Sequence, residues 1–229
     1  MHIQGLQKLT LLDYPGRTAC TVFLSGCNFR CPFCHNSPLL TAADKDGVDE
    51  DELLAFLKKR QGLLDGVAIT GGEPLLRSEL PALLEKIKTL GYTVKLDTNG
   101  SFPERLEAVV SAGLVDYIAM DVKNSPDRYA ETVGVPELDL TPVFRSVSFL
   151  LRGRVNYEFR TTAVAELHDD VSFAKLGDWL AGARHYFIQC FQARDTVLQA
   201  GLHAPSEIQL RHWAELVRPK LHAVAIRGI

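Results

Sequence analysis

Apolar positions along this chain follow two rhythms in turn: a short run rich in β-branched and aromatic residues, then, after a turn, a helical spacing. Runs at residues 18–24, Val67–Thr70, Thr93–Asp97, Tyr117–Lys123, Val155–Ala165 and Tyr186–Phe191 predict strands one to six. Helical patterns separate them, over Asp51–Leu64, Leu80–Leu90, a segment from Ser101 through Val110, Thr141–Leu151 and Ser172–Leu180. In the second of these, Leu80, Leu83, Leu84, Ile87 and Leu90 fall on one face, Pro81 suits the first turn and Gly91 provides the stop. Ser101 and Glu104 have the spacing of a capping box. A shorter helical piece lies near Pro126–Val133. The tail carries an amphipathic helix after Pro205, with Leu210, Trp213 and Val217, and a last apolar run, Ala223–Ile226.

Strand–helix units in series predict an α/β fold with a parallel sheet and right-handed crossovers. A full eight-unit barrel takes about 250 residues. The present chain has 229, so a partial (β/α)6 barrel of the TIM type is the economical arrangement, with a doubly wound open sheet as the alternative. Strand parity adds a second expectation. Lys95, Asp97 and Asn99 share one face of strand three, Ala119, Asp121 and Lys123 one face of strand four, and Asn156, Glu158, Arg160 and Thr162 one face of strand five. Unpaired buried charges are costly, so three neighbouring strands with charged inner faces predict a polar ligand in the lumen.

Composition is that of an ordinary globular protein, 46% hydrophobic and 23% charged, and fits one domain over residues 1–229. Within it the cysteine-bearing loop is expected at 26–36 and a C-terminal extension from about 193 to 229. Twenty-five basic against 28 acidic residues leave a net charge of −3, and no basic cluster exceeds Lys58-Lys59-Arg60, which argues against nucleic acid as a partner. No apolar stretch approaches membrane-spanning length. Five cysteines, three of them crowded, do not suggest a secreted disulfide framework, and the N-terminal residues lack a basic and apolar leader, so a cytoplasmic setting is expected.

The crowded cysteines are Cys27, Cys31 and Cys34, at a C-x3-C-x2-C spacing just after the first strand. Thiolates select zinc, copper(I) or an iron–sulfur cluster. A structural zinc would need a fourth ligand, for which His35 or His2 could serve. Cys31-Pro-Phe-Cys34-His35 also matches the attachment pattern for c-type haem, but leaves Cys27 idle. A redox disulfide would leave a thiol over. Three thiolates on a four-iron cluster would keep one iron open for another ligand. Further polar motifs close successive strands: Gly71-Gly72-Glu73, Asp97-Thr98-Asn99 and Asp121-Val-Lys123. Each alone is an ordinary turn or local ion pair. Their recurrence at strand ends, where α/β proteins place their sites, gives them weight.

Together these residues resemble the radical S-adenosylmethionine superfamily. Gly5–Gly16, Gly26–Asn36 and Leu96–Gly100 resemble its glycyl-radical-enzyme activases, above all the anaerobic ribonucleotide reductase activating branch, with pyruvate formate-lyase activating enzyme a near relative. The resemblance implies that Cys27, Cys31 and Cys34 bind a catalytic [4Fe-4S] cluster whose open iron holds S-adenosylmethionine. It implies that Gly71, Gly72 and Glu73 receive the methionine amino group, largely through backbone atoms, that Lys123 pairs with its carboxylate, that Asp121 lies near the ribose and that Phe33 packs near adenine. Asn99 and Arg160 complete the candidate cofactor-binding set. Asp97 and Asp121, with backbone at Thr98 and Ala119, match a monovalent-cation site. Gln192 departs from the pattern, standing where the relative has a histidine. The implied partners are a glycyl radical enzyme, met near residues 124–140, and a flavodoxin- or ferredoxin-type electron donor. The alternatives are radical chemistry on a small molecule such as a deazapurine precursor, activation of another glycyl radical enzyme, and a zinc-binding interaction module without catalysis. Cys20 and Cys190 lie within strands and are expected to be inert core residues.

Overall fold

A computed structural model describes residues 1–40 and 47–229, with the side chain of His2 outside that description. The first half of the chain runs β1 (His2–Ile3), β2 (Gly5–Thr10), β3 (Ala19–Leu24), β4 (Val48–Asp49), α1 (Glu50–Lys59), β5 (Gly66–Gly71), α2 (Leu80–Thr89), β6 (Thr93–Thr98) and α3 (Pro103–Ser111). The second runs β7 (Tyr117–Asp121), α4 (Tyr129–Val133), α5 (Thr141–Leu151), β8 (Asn156–Ala163), α6 (Asp170–Trp179), β9 (Tyr186–Cys190), α7 (Glu207–Val217) and β10 (Val224–Arg227).

Eight strands form one sheet in the order β10-β9-β8-β7-β6-β5-β3-β2. From β3 through β10 all pairs are parallel, and only β2 runs antiparallel, against β3. Each parallel strand lies beside its predecessor. A doubly wound sheet must reverse its strand order, and this one does not. Right-handed crossovers that all step the same way put the helices on one face and curl the sheet into an open barrel. The expected partial barrel is therefore present. It is extended by two strands that the sequence left unplaced: β2, and β10 from the last apolar run.

One side of each strand packs against the helices. Leu96, Ile118 and Tyr157 stand level across β6, β7 and β8, buried with Leu84, Ile87, Leu106, Val147 and Leu150 from the helical layer. The opposite parity carries Lys95, Asp97, Asp121, Glu158 and Arg160 into the lumen. Among the described residues, no helix is long and apolar enough to cross a membrane.

Several boundaries shift for local reasons. Helix α1 ends at Lys59, where the Arg60 N–H bonds to the Leu57 carbonyl, so Leu64 joins the core from the following connection. Strand β7 ends at Asp121, leaving Lys123 just beyond it, and the piece near Pro126 divides into a 3-10 turn and α4. The capping box expected at Ser101 is absent: Phe102 holds the cap position, and Ser101 donates to Asn99 Oδ1 through its N–H (2.9 Å) and hydroxyl. Glu104 turns to Arg145. Capping boxes occur instead at Asp49/Glu52, Asp169/Ser172 and Ser206/Gln209. Asp49→Ala and Ser206→Ala are each expected to lower the unfolding free energy by about 1 kcal/mol, read as a lower urea midpoint with unchanged slope.

Candidate functional site

The loop after β3 is held by backbone bonds on both sides. Gly26 N–H donates to the Leu39 carbonyl (2.8 Å), the Gly26 carbonyl accepts from Glu73 N–H (2.8 Å), and Arg30 N–H donates to the Val133 carbonyl (2.8 Å). The Arg30 guanidinium closes the turn by donating to the carbonyls of Cys27 (2.7 Å) and Phe29 (2.8 Å). Phe29 and Phe33 are buried, Phe29 edge-on to Tyr129 at 6.4 Å. With its apolar residues anchored, the loop turns three free thiols, Cys27, Cys31 and Cys34, toward one cavity of about 240 Å³.

Glycines set how closely the strand ends approach that loop. A Cβ on Gly71, at φ +124°, would stand 2.2 Å from the Leu24 carbonyl oxygen, and one on Gly72 would stand 2.0 Å from that of Gly26. The Glu73 carboxylate, fully buried, faces away from the cavity. It accepts from Asn99 N–H (2.6 Å), Leu75 N–H (3.0 Å) and the Thr98 hydroxyl (2.9 Å), tying the end of β5 to the end of β6. Burial raises its pKa to about 7 against those donors. Gly71 and Gly72 line the cavity while the Glu73 side chain is structural.

The floor is an ion network from three adjacent strands. Arg160 donates through Nε to Asp121 (2.8 Å) and through Nη1 to Asp97 (3.2 Å); Lys123 donates to Asp121 (2.9 Å), and Lys95 pairs with Asp97. Lys95, Lys123 and Arg160 against Asp97 and Asp121 leave one cation in excess. Burial alone would raise both carboxyls. Arg160 with Lys95 at Asp97, and Arg160 with Lys123 at Asp121, reverse this and hold both below the ordinary range. Burial opposes the charge on Lys123, and Asp121 overrides it.

Nearly every expected site residue thus lines one cavity: the three cysteines, Phe33, Gly71, Gly72, Asp97, Asn99, Asp121, Lys123 and Arg160. Thr162, which strand parity places on the inner face, and His35, raised above as a possible metal ligand, line it too, as do Thr70, Gln189 and Asn36, which were not anticipated. Gln189 shows the parity that singled out Arg160, applied to the next strand. His35 bonds through Nε2 to the Gln192 carbonyl (2.7 Å) and stacks on Phe191 at 5.5 Å. Gln192 lies beyond β9, its side-chain oxygen 3.4 Å from Arg194. Cys20 is fully buried, as expected; Cys190 is only half-buried, because it ends its strand beside Gly228.

The donors suit a soft, electron-rich group. Phe29 N–H (3.4 Å) and Asn99 Nδ2 (3.9 Å) point at the Cys27 sulfur. Among the described residues no group of three His, Cys, Asp or Glu side chains is placed to hold a single metal ion. Burial pushes the Cys31 thiol up to about 12, and ligation would have to displace its proton.

Residues 21–169 match the Radical SAM superfamily. The chain belongs to that superfamily. Over 99% of its length it is 30% identical to a Methanocaldococcus jannaschii protein provisionally named a glycyl-radical enzyme activating enzyme, 96% of which is covered. It is 33% identical to the 7-carboxy-7-deazaguanine synthase of Koribacter versatilis over 64% of this chain and 62% of that one. Its fold resembles a domain of a pyruvate-formate lyase-activating enzyme from Bacteroides vulgatus, with a TM-score of 0.58 at 18% identity over 71% of this chain and 99% of that structure. The protein is a radical SAM oxidoreductase, and its family implies a [4Fe-4S] cluster and S-adenosylmethionine, which the three thiols and the polar floor fit.

Arg160→Met leaves two half-buried carboxylates short of a partner and is expected to cost about 1–3 kcal/mol near pH 7, less than a fully buried pair because water still reaches them. In the native chain the carboxyls' stabilisation is complete above about pH 4 and lost as pH falls through their depressed folded values; in the variant, protonation relieves the strain instead. The deficit, followed by denaturant titration, should therefore shrink on acidification. Gly72→Ala is expected to displace the cysteine loop and lower the iron and sulfide retained after anaerobic reconstitution, with the far-ultraviolet spectrum unchanged.

Proposed function

We propose that this chain is an activase that installs a glycyl radical on a partner enzyme, anaerobic ribonucleotide reductase before others. The observation that carries this is one cavity joining three free thiols to a cation-rich floor, in a chain similar over nearly all its length to an activating enzyme. When bound, the cluster and S-adenosylmethionine supply an electron and a 5′-deoxyadenosyl radical able to take hydrogen from a glycine. The protein's share is to bind, orient and exclude. Cys27, Cys31 and Cys34 hold the cluster. The backbone of Gly71 and Gly72 receives the methionine amino group, with Glu73 fixing that backbone from behind. Lys123 takes the carboxylate, Asp121 the ribose side and Phe33 the adenine.

Asn99 orders the loop through Asn28 (3.0 Å), and Arg160 keeps Asp97 and Asp121 ionised. A monovalent cation at Asp97 and Asp121 would share oxygens already engaged by Lys95, Arg160 and Lys123. We read residues 1–229 as one radical SAM domain with 193–229 closing it. The partner glycine enters at the mouth beside 124–140, and a flavodoxin- or ferredoxin-type protein delivers the electron. The similarity to the deazaguanine synthase favours a small-molecule substrate as the second reading.

Anaerobic reconstitution should load about four irons and four sulfides per chain. Dithionite should then release 5′-deoxyadenosine and, with the partner reductase present, give its glycyl radical signal in electron paramagnetic resonance. Cys27→Ala, Cys31→Ala or Cys34→Ala should abolish both. Lys123→Met should weaken S-adenosylmethionine binding by about tenfold, the loss of one buried charge-assisted contact. Conversion of a small molecule coupled to 5′-deoxyadenosine release, with no protein partner present, would favour the small-molecule reading, and a cluster-loaded sample that cleaves nothing would overturn both.

A further inference from the structure

We propose that the end of the barrel opposite the cysteines is a second ligand site, built for a small phosphate-bearing molecule. A cavity of about 480 Å³ opens there, twice the volume of the one beside the cysteines and within the size range of small-molecule sites. Thr93, Tyr117 and Asn156 open β6, β7 and β8, Arg17 precedes β3, and Arg184 and His185 precede β9, so the cavity lies at the N-terminal ends of the strands. That end of a barrel ordinarily serves stability alone.

Charge decides what could fill it. Arg17 and Arg184 both line the cavity, and among the described residues neither makes an ion pair. The one carboxylate among the described lining residues is Asp116, and it is already satisfied: Lys88 Nζ bonds both its oxygens (2.9 and 2.8 Å), and Val94 N–H donates to Oδ2 (2.7 Å). Two guanidinium groups thus share one hollow whose single carboxylate, among the described residues, is engaged elsewhere. Guanidinium forks match phosphate oxygens in pairs.

The walls are positioned. Arg184 lies where a side chain on Gly153 would sit, since a Cβ there would be 2.7 Å from its Nη2. Tyr14 rests against Gly66, whose Cβ would come within 2.8 Å of the ring. The Tyr157 hydroxyl accepts from Arg184 N–H (3.3 Å), which leaves its proton to donate. Tyr117 donates to Glu158 (3.0 Å), and Arg227 fixes that carboxylate from the other side at 2.9 and 3.0 Å. Tyr14 and Pro15, part of the N-terminal block that the cysteine end does not use, border this cavity.

The site does not depend on the activity proposed above, and its test is a binding measurement. The full chain is titrated calorimetrically with inorganic phosphate and with adenosine monophosphate, against sodium chloride at matched ionic strength. Saturable binding of at least one probe is expected, about tenfold weaker in Arg17→Ala/Arg184→Ala and unchanged in Lys59→Ala, whose lysine lies on α1 away from the cavity. Both arginines are exposed, so the double variant should keep the native melting temperature without ligand. If phosphate binds as tightly as the nucleotide, the site reads phosphate alone; tighter nucleotide binding shows that the tyrosine-lined remainder takes part. Saturation by neither probe, or equal binding by the double variant, overturns the proposal.

Discussion

Charges placed inside a barrel must find partners there, and the strand order of this chain lets them. Arg160 on β8 stands directly across from Asp121 on β7 and reaches Asp97 on β6. One guanidinium thereby binds three strands together and keeps two carboxylates ionised. A lumen filled with branched apolar residues would be an ordinary core. With this network it stays polar and shaped, and one cation remains in excess for an incoming anion. The sequential sheet order is what makes the network possible, since a reversed order would part β6 from β8.

A second constraint is closeness. The ends of β3 and β5 approach until no side chain fits at Gly71 or Gly72. The Glu73 carboxylate then holds that turn to β6 from behind. The cysteine loop is therefore fastened to the same strand ends that carry the charged floor. Loops supply the chemistry while strands and paired charges fix where it happens. Burial that disfavours ionisation of Cys27 and Cys31 would also couple ligation there to proton release.

The two ends of the barrel differ in kind. At the C-terminal ends of the strands, cations and carboxylates pair with each other around the thiols. At the N-terminal ends, Arg17 and Arg184 have no such partners among the described residues, and Tyr117 with Glu158 forms the support between. A polar column thus runs through the fold where most barrels are apolar.

Periodicity alone determined the six strand–helix units, and parity along strands three to five already separated Lys95, Asp97, Asp121 and Arg160 from the helix-packed residues. The cysteine spacing announced a soft ligand site, and motif resemblance gave its class. All of these are local properties, fixed by side-chain alternation and by the reach of a few residues. Tertiary structure decided the rest. It chose a barrel over a doubly wound sheet, because strand neighbours are long-range pairs that no local rhythm encodes. It turned Glu73 away from the cavity, because three donors from the end of β6 and from its own turn meet there. It drew Ser101 away from its helix, because the Asn99 side-chain oxygen accepts both its N–H and its hydroxyl. It also assembled Arg17 with Arg184, residues far apart in sequence that meet only because strands β3 and β9 begin at the same end of a curled sheet.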